Sequence, residues 1–264
     1  MTVQQLQETL YDENVDYRVG SPHLAHWQLY DRLVSVLRDH VRELAARGLP
    51  LDVLEIGAGH GGYTEPALAA GCAVTAVEMS RPSLTELTRR FGTNPAFTPV
   101  FDQDGSLGDT ADQYSLILCV SVLHHIPDYL GFLGGALDKL APGGSLLTLQ
   151  DPIWYARAGN RSRALDRAGF YSWRVLQGDL LRGLSTTSRR LRGRHDETNP
   201  SDMVEYHAVR DGVDEQAILD LLTPRFDAVS LLPYWSNQSA AVQRLGSRMR
   251  MHNTFGVDAV GFRG

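Results

Sequence analysis

The sequence predicts an α/β fold, a doubly wound and mostly parallel seven-stranded sheet with N-terminal helices and an inserted helical cap after the fifth strand. Three observations carry this expectation. From residue 51 onward short apolar runs alternate with helical patterns, and strand and helix in turn, closely connected, imply right-handed crossovers onto a parallel sheet. A glycine cluster, Gly57 to Gly62, lies between the first apolar run and the first of those helices. The 264 residues are 43% hydrophobic, enough for one core of enzyme size, and no internal repeat, heptad run or low-complexity stretch divides them.

Taken in order, residues 1–49 read as a helical cap: Leu29, Leu33, Leu37, Val41 and Leu44 recur at helical spacing, and Gly48 with Pro50 ends the run. Residues 50–151 form the α/β core, with strands in LDVLEIG, AVTAVEM, AFTPVF, YSLILCV and GGSLLTLQ and helices near 62–70, 81–91 and 129–140. Ligands of open parallel sheets bind beyond the carboxyl ends of the strands. Chemistry is therefore expected in the loops that start at Gly57, Glu78, Asp102, Val120 and Gln150. Residues 152–199 are far more than a crossover needs and read as a lid over the site. Residues 200–264 return to the core: DEQAILDLLTPRF and AAVQRLGSRM are helices, while DAVSLLPYW and HNTFGVDAVGF are strands that pair antiparallel at the sheet edge.

Composition narrows the partners. With 25 basic and 31 acidic residues the net charge is −6, so nothing draws the whole molecule to nucleic acid or to an anionic membrane. Cys72 and Cys119 lie in apolar runs, which points to buried thiols in a reducing cytoplasm rather than to a disulfide framework. The first residues lack a basic stretch followed by an apolar one, and no window approaches 18 uncharged apolar residues. A soluble, non-exported protein is expected, with monomer and homodimer both open. Lys139 is the single lysine in an arginine-dominated basic set.

The strongest local signal is the run from Val53 to Gly62, VLEIGAGHGG. Gly57, Gly59 and Gly61, with Ala58 between the first two, follow a strand and precede a helix. They permit a tight turn and present a surface without Cβ atoms that a cofactor can approach. The pattern is G-x-G-x-G, although Gly62 also completes the dinucleotide spacing, so a nicotinamide or flavin nucleotide stays open on spacing alone. Glu78 ends the second strand about 20 residues beyond Gly57, where an acid accepts both hydroxyls of a ribose. Glu55 lies within the first strand beside the turn. A buried carboxylate there needs donors from loop amides or a ligand ammonium, suits a cationic cofactor and repels a pyrophosphate.

These strings, with YSLILCVSVLHHI and LDKLAPGGSLLTL, resemble the class I S-adenosylmethionine-dependent methyltransferases of small-molecule type, a Rossmann-like fold. The resemblance covers roughly residues 50–150 and, weakly, the last sixty. It implies S-adenosyl-L-methionine as cofactor. It also implies that the loop of Glu55, Gly57, Ala58, Gly59 and Gly61 wraps the methionyl part, that Glu78 holds the ribose, and that Met79 stacks beside the adenine. Asp102, or Asp104 if the turn is shifted, would meet the adenine amino group, Val120 would line the site, and Tyr17 or Tyr11 would reach the cofactor from an N-terminal segment. One departure is Ser115, where the family often has an aspartate; at the start of its strand it is remote from the cofactor edge.

Residues for the acceptor are less sharply marked. His124 and His125 follow the fourth strand, where a histidine either takes a proton or braces the loop by hydrogen bonds. His23 and His26 share one helical face if a helix has begun by Ser21, giving a substrate contact at His23 and a further base at His26. Glu205 and His207 fall on one side of an extended segment and Tyr206 on the other; His207 is a fourth candidate base. No histidine spacing matches a metal site. Asp151, Trp154 and Tyr155 leave the fifth strand, and Trp173 lies further into the lid; an anchor with aromatic walls suits a small-molecule pocket. The arginines from Arg182 to Arg194 form either a solvated loop or an anion-binding lid.

The function expected is methyl transfer to an enclosed small acceptor, such as a secondary-metabolite intermediate. The alternatives are a protein that uses S-adenosylmethionine structurally or for a non-methylating reaction, and a nicotinamide oxidoreductase, against which Glu55 speaks.

Overall fold

The computed structural model describes residues 20–110, 113–176 and 212–264. Among the described residues the first two helices are α1 (Pro22–Ala25) and α2 (Trp27–Ala46). The alternating core follows as β1 (Asp52–Ile56), α3 (Thr64–Ala69), β2 (Ala73–Glu78), α4 (Arg81–Phe91), β3 (Phe97–Phe101), β4 (Tyr114–Val120), a 3-10 turn over Leu123–His125, α5 (Tyr129–Leu137) and β5 (Leu140–Pro152). After β5 come α6 (Asn160–Leu176), α7 (Glu215–Leu222), β6 (Phe226–Tyr234), α8 (Ala240–Arg248) and β7 (Thr254–Phe262).

The seven strands form one sheet in the order β3-β2-β1-β4-β5-β7-β6. The first five pair in parallel, while β7 runs antiparallel to both β5 and β6. This matches the expected doubly wound sheet and its antiparallel edge. The order reverses between β1 and β4, so a crevice opens beyond their carboxyl ends. Alternation of side chains along β4 feeds two cores: Ile117 and Cys119 join Leu54, Leu133, Leu146 and Phe255 on one face, and Leu116 and Leu118 join Val53, Leu87, Leu147 and the α2 stripe on the other.

That stripe is the one read from the sequence, since Leu29, Leu33, Leu37, Val41 and Leu44 are all buried, with Val34 and His40 beside them. The expectation for His23 and His26 needs correction. Helix α1 closes at Ala25, and His26 is extended (φ −102°, ψ 101°) before α2 begins, so the two histidines do not share one helical face. His26 Nε2 instead lies 2.9 Å from the backbone oxygen of Asn237. A carbonyl only accepts, so Nε2–H donates and this nitrogen is not available as the base that His26 was expected to be.

After β5, α6 supplies the helical insertion, and a buried polar knot holds it to the ligand edge. Asn237 Nδ2 donates to Asp166 Oδ1 at 2.9 Å and Asn253 Nδ2 to the same oxygen at 2.8 Å. These asparagines follow β6 and precede β7, so α6 is pinned over the strand ends that border the crevice. The arginine group, Glu205, Tyr206, His207, Tyr11 and Tyr17 lie outside the described residues.

Leu37 is fully buried between α2 and the sheet. Leu37→Ala is expected to lower unfolding free energy by about 2–5 kcal/mol through lost transfer energy and the residual cavity. Urea unfolding checks it, and an unchanged midpoint would detach α2 from the core.

Candidate functional site

The crevice is organised by the turn after β1. Gly57, Gly59 and Gly61 have φ of +68°, +56° and +82°, a region in which a Cβ is strained. The glycines serve packing as well as backbone conformation. A Cβ on Gly57 would lie 2.6 Å from Val122, and one on Gly61 would lie 2.4 Å from Phe91. The sequence reading gave their bare surface to a cofactor; at Gly57 and Gly61 the neighbours that need the space are β4's exit loop and α4. Gly57 N–H and Ala58 N–H donate to Val77 O at 2.9 and 3.3 Å, and Tyr30 OH donates to Gly62 O at 2.9 Å.

Glu78, at the carboxyl end of β2, receives this turn. Gly59 N–H donates to its Oε2 at 2.8 Å and Ser80 N–H to its Oε1 at 2.9 Å. The Met79 amide also donates to this carboxyl, and the acceptor capacity that three amides leave suits a ribose hydroxyl. Met79, half-buried, follows it. The next strand end carries Asp102, whose two oxygens accept from Gly105 N–H at 3.0 Å and Leu107 N–H at 2.8 Å. Asp104 is exposed and accepts from Ser106 N–H. Asp102 therefore shapes the turn after β3. Burial raises its carboxyl, while the Ser106 hydrogen bonds lower that of Asp104.

Glu55 points into the buried space below the turn and accepts from Thr64 Oγ1 at 2.5 Å. The sequence pointed to loop amides or a ligand ammonium as donors; a hydroxyl at the start of α3 does that work. Burial lifts the Glu55 carboxyl to about 8 against the Thr64 hydrogen bond, with Glu78 adding to the rise.

The remaining candidate residues gather around the end of β4, beyond half-buried Val120. His124 Nδ1 lies 2.9 Å from Asp151 Oδ1, and His124 N–H donates to the same oxygen at 3.2 Å. Asp151 was expected to anchor substrate directly; it is fully buried, and its partner is His124. The His124 and His125 rings are 4.0 Å apart. His23 stacks on Tyr63 at 6.1 Å, with both residues buried. Burial brings His23 to about 4, burial and then His23 bring His124 to about 3, and burial and then His124 push His125 down. Asp151 is lifted to about 8 by burial, against amide hydrogen bonds from His124 and Leu123.

Four buried polar atoms here, His23 Nδ1, Tyr63 OH, His125 Nδ1 and Asp151 Oδ2, have no hydrogen-bond partner among the described residues. Buried groups of this kind are normally satisfied, so the constellation suits a bound ligand with polar atoms. Trp154 is half-buried beneath Arg157, whose guanidinium carbon is 4.6 Å from its ring centre. Arg157 bonds Asp214 at 2.6 Å, tying the β5 exit to α7. Tyr155 is half-buried beside it. Trp173, on α6, approaches the backbone at Gly20 and meets Phe170 at 6.4 Å between ring centres. Trp173 thus falls between α6 and the backbone just before α1, while Trp154 stays at the β5 exit.

Sequence reasoning missed Tyr63, Thr64 and two strained positions. Ser121 and Gln150, just past β4 and near the end of β5, have φ of +62° and +67°; such non-glycine residues cluster at functional sites. Gln150 is held by Tyr234, whose OH accepts from Gln150 N–H at 2.6 Å. Among the described residues no cluster of His, Cys, Asp and Glu could hold a metal ion, and no helix is long and apolar enough to cross a membrane.

The family described as "Methyltransferase domain" matches residues 28–190. Demethylmenaquinone methyltransferase of Tropheryma whipplei (strain Twist) is 30% identical over 131 residues, 47% of this chain and 54% of that protein. The chain thus spans about half the length of this curated relative. The N-methyltransferase NodS from Bradyrhizobium japonicum WM9, solved with S-adenosyl-L-homocysteine, aligns over 99% of this chain and 98% of its own at a TM-score of 0.56 and 15% identity. The plantazolicin methyltransferase BpumL, also solved with that molecule, covers 89% of this chain and 85% of its own at 0.55 and 12%. At these identities the two structures bear on the fold.

The buried acids set a pH dependence. Glu55 and Asp151 ionise near 4.5 and 3.8 when unfolded but near 8 when folded. Their contribution to stability is complete below those lower values and is lost as pH rises to about 8. The lowered histidines act oppositely, contributing fully above about 6.5 and losing their contribution as pH falls through about 4 for His23 and about 3 for His124. From pH 6.5 to 8 the carboxylates dominate, so the melting temperature of the unliganded protein is expected to fall across that window. Glu55→Gln is expected to flatten the fall; an identical slope in scanning calorimetry would mean that Glu55 ionises normally in the fold.

Proposed function

Because this chain belongs to the methyltransferase-domain family of S-adenosylmethionine-dependent proteins, we propose that it methylates a small-molecule acceptor, a secondary-metabolite intermediate enclosed by the N-terminal helices and the segment after β5. The observation that carries the cofactor part is the Glu78 carboxylate at the end of β2, fixed by the Gly59, Ser80 and Met79 amides and still able to accept from a ribose hydroxyl. When bound, S-adenosylmethionine supplies a methyl group on a sulfonium that departs as a neutral thioether. Glu78 accepts the ribose hydroxyls, Met79 and Asp102 border the adenine, and the turn from Gly57 to Gly61 with Glu55 below it borders the methionyl end.

The chain's own part in the reaction is largely alignment and exclusion of water. Trp154, Tyr155 and Trp173 form the aromatic wall, His23 and Tyr63 offer polar contacts to the acceptor, and His124 takes the proton that a hydroxyl acceptor gives up. Enclosure supports a small acceptor over a macromolecule. The division that goes with this reading is a cap at 1–49, a cofactor core at 50–151, a lid at 152–199 and the rest of the core at 200–264.

Titration calorimetry tests the cofactor. S-Adenosylmethionine and S-adenosylhomocysteine are expected to bind in the micromolar range, about −8 kcal/mol at 1 µM, with no saturable heat from NAD. Saturable NAD binding with no heat from either sulfur compound would overturn the proposal.

A further inference from the structure

Asp151 is wholly buried at the end of β5, and the way His124 meets it is asymmetric. The His124 backbone N–H, 3.2 Å away, and its ring Nδ1, 2.9 Å away, converge on Oδ1. Oδ2 has no partner among the described residues. A backbone N–H can only donate, so Oδ1 is already serving as an acceptor towards this residue. An oxygen so engaged has its remaining lone pair available for a second N–H. The Leu123 amide also donates to this carboxyl, so the acid faces the loop of His124 as an acceptor of N–H groups. The ring is enclosed as well, with His125 packed 4.0 Å from it.

We propose that Asp151 is a positioning residue that fixes His124 as the Nδ1–H tautomer and so makes Nε2 the nitrogen that receives a proton. The inference rests on the methyl-transfer reading for its purpose but not for its geometry. Free neutral histidine favours the Nε2–H form, so the tautomer here is imposed by the acid. In the proposed transfer the acceptor oxygen forms the new O–C bond, the C–S bond breaks with its electron pair staying on sulfur, and the hydroxyl proton passes to Nε2. One positive charge leaves sulfur and one appears on the imidazole, where Asp151 stabilises it through Nδ1–H.

Long-range proton–nitrogen correlation spectra of protein labelled with 15N-histidine read the tautomer directly, with His124→Gln used for assignment. The expected result is a protonated Nδ1 and a bare Nε2 in the parent, retained in Asp151→Asn, whose carboxamide oxygen can still accept both N–H groups. Asp151→Ala should shift His124 to a majority of the Nε2–H form. A parent spectrum with Nε2 protonated overturns the proposal, as does an alanine variant that keeps the parent's tautomer; should the alanine variant not fold, loss of the Nδ1–H form in Asp151→Asn overturns it. No cofactor or acceptor enters this measurement. Failure of S-adenosylmethionine to bind is therefore seen separately, by calorimetry, and does not alter the tautomer result.

Discussion

The hydrogen bond from Gly59 N–H to Glu78 Oε2, 2.8 Å long, joins the turn after β1 to the end of β2, and the rest of the crevice is placed by what that turn must do to reach it. Three positive φ values carry the chain round. Val122 occupies the space beside Gly57, and Phe91 that beside Gly61. A side chain at either position would push apart the turn, the β4 exit and α4 together. The glycines thus link three elements of the core, and their conformational freedom comes at an entropic cost in the unfolded chain that this packing offsets.

Around this joint the protein buries several titratable groups, and burial disfavours their charged forms. Glu55 and Asp151 are lifted, while His23, His124 and His125 are depressed, burial being the leading cause in each case. The same desolvation disfavours the charged form of acids and histidines alike, and at Glu78 the amides of Ser80, Gly59 and Met79 oppose it. Perturbed groups in a cleft mark functional sites statistically; here they also coincide with the topological switch point of the sheet.

Much of this was legible in the sequence. Apolar runs of strand length and the α2 stripe defined the elements, and Glu55, the three glycines and Glu78 lie on contiguous segments whose spacing carries their geometry. What could not be read depends on pairing between distant segments. Asp151 meets His124 because β4 and β5 lie side by side in a particular parallel register, with Val120 opposite Leu149. Tyr63 meets His23 because α1 folds back over the turn, and no local pattern announces that. The left-handed Ser121 and Gln150 carry no glycine to mark them. The break at His26 follows a contact with Asn237, more than two hundred residues away, so a helical spacing of three gave the wrong expectation there.

The central claim is that Glu78 is the pivot of a cofactor site, and the dissociation constant of S-adenosylhomocysteine for Glu78→Ala tests it most directly. Losing charge-assisted hydrogen bonds worth about 1.5–3 kcal/mol each, partly replaced by water, is expected to raise that constant about tenfold or more in a variant whose melting curve matches the parent. A constant equal to the parent's in such a variant would contradict the account.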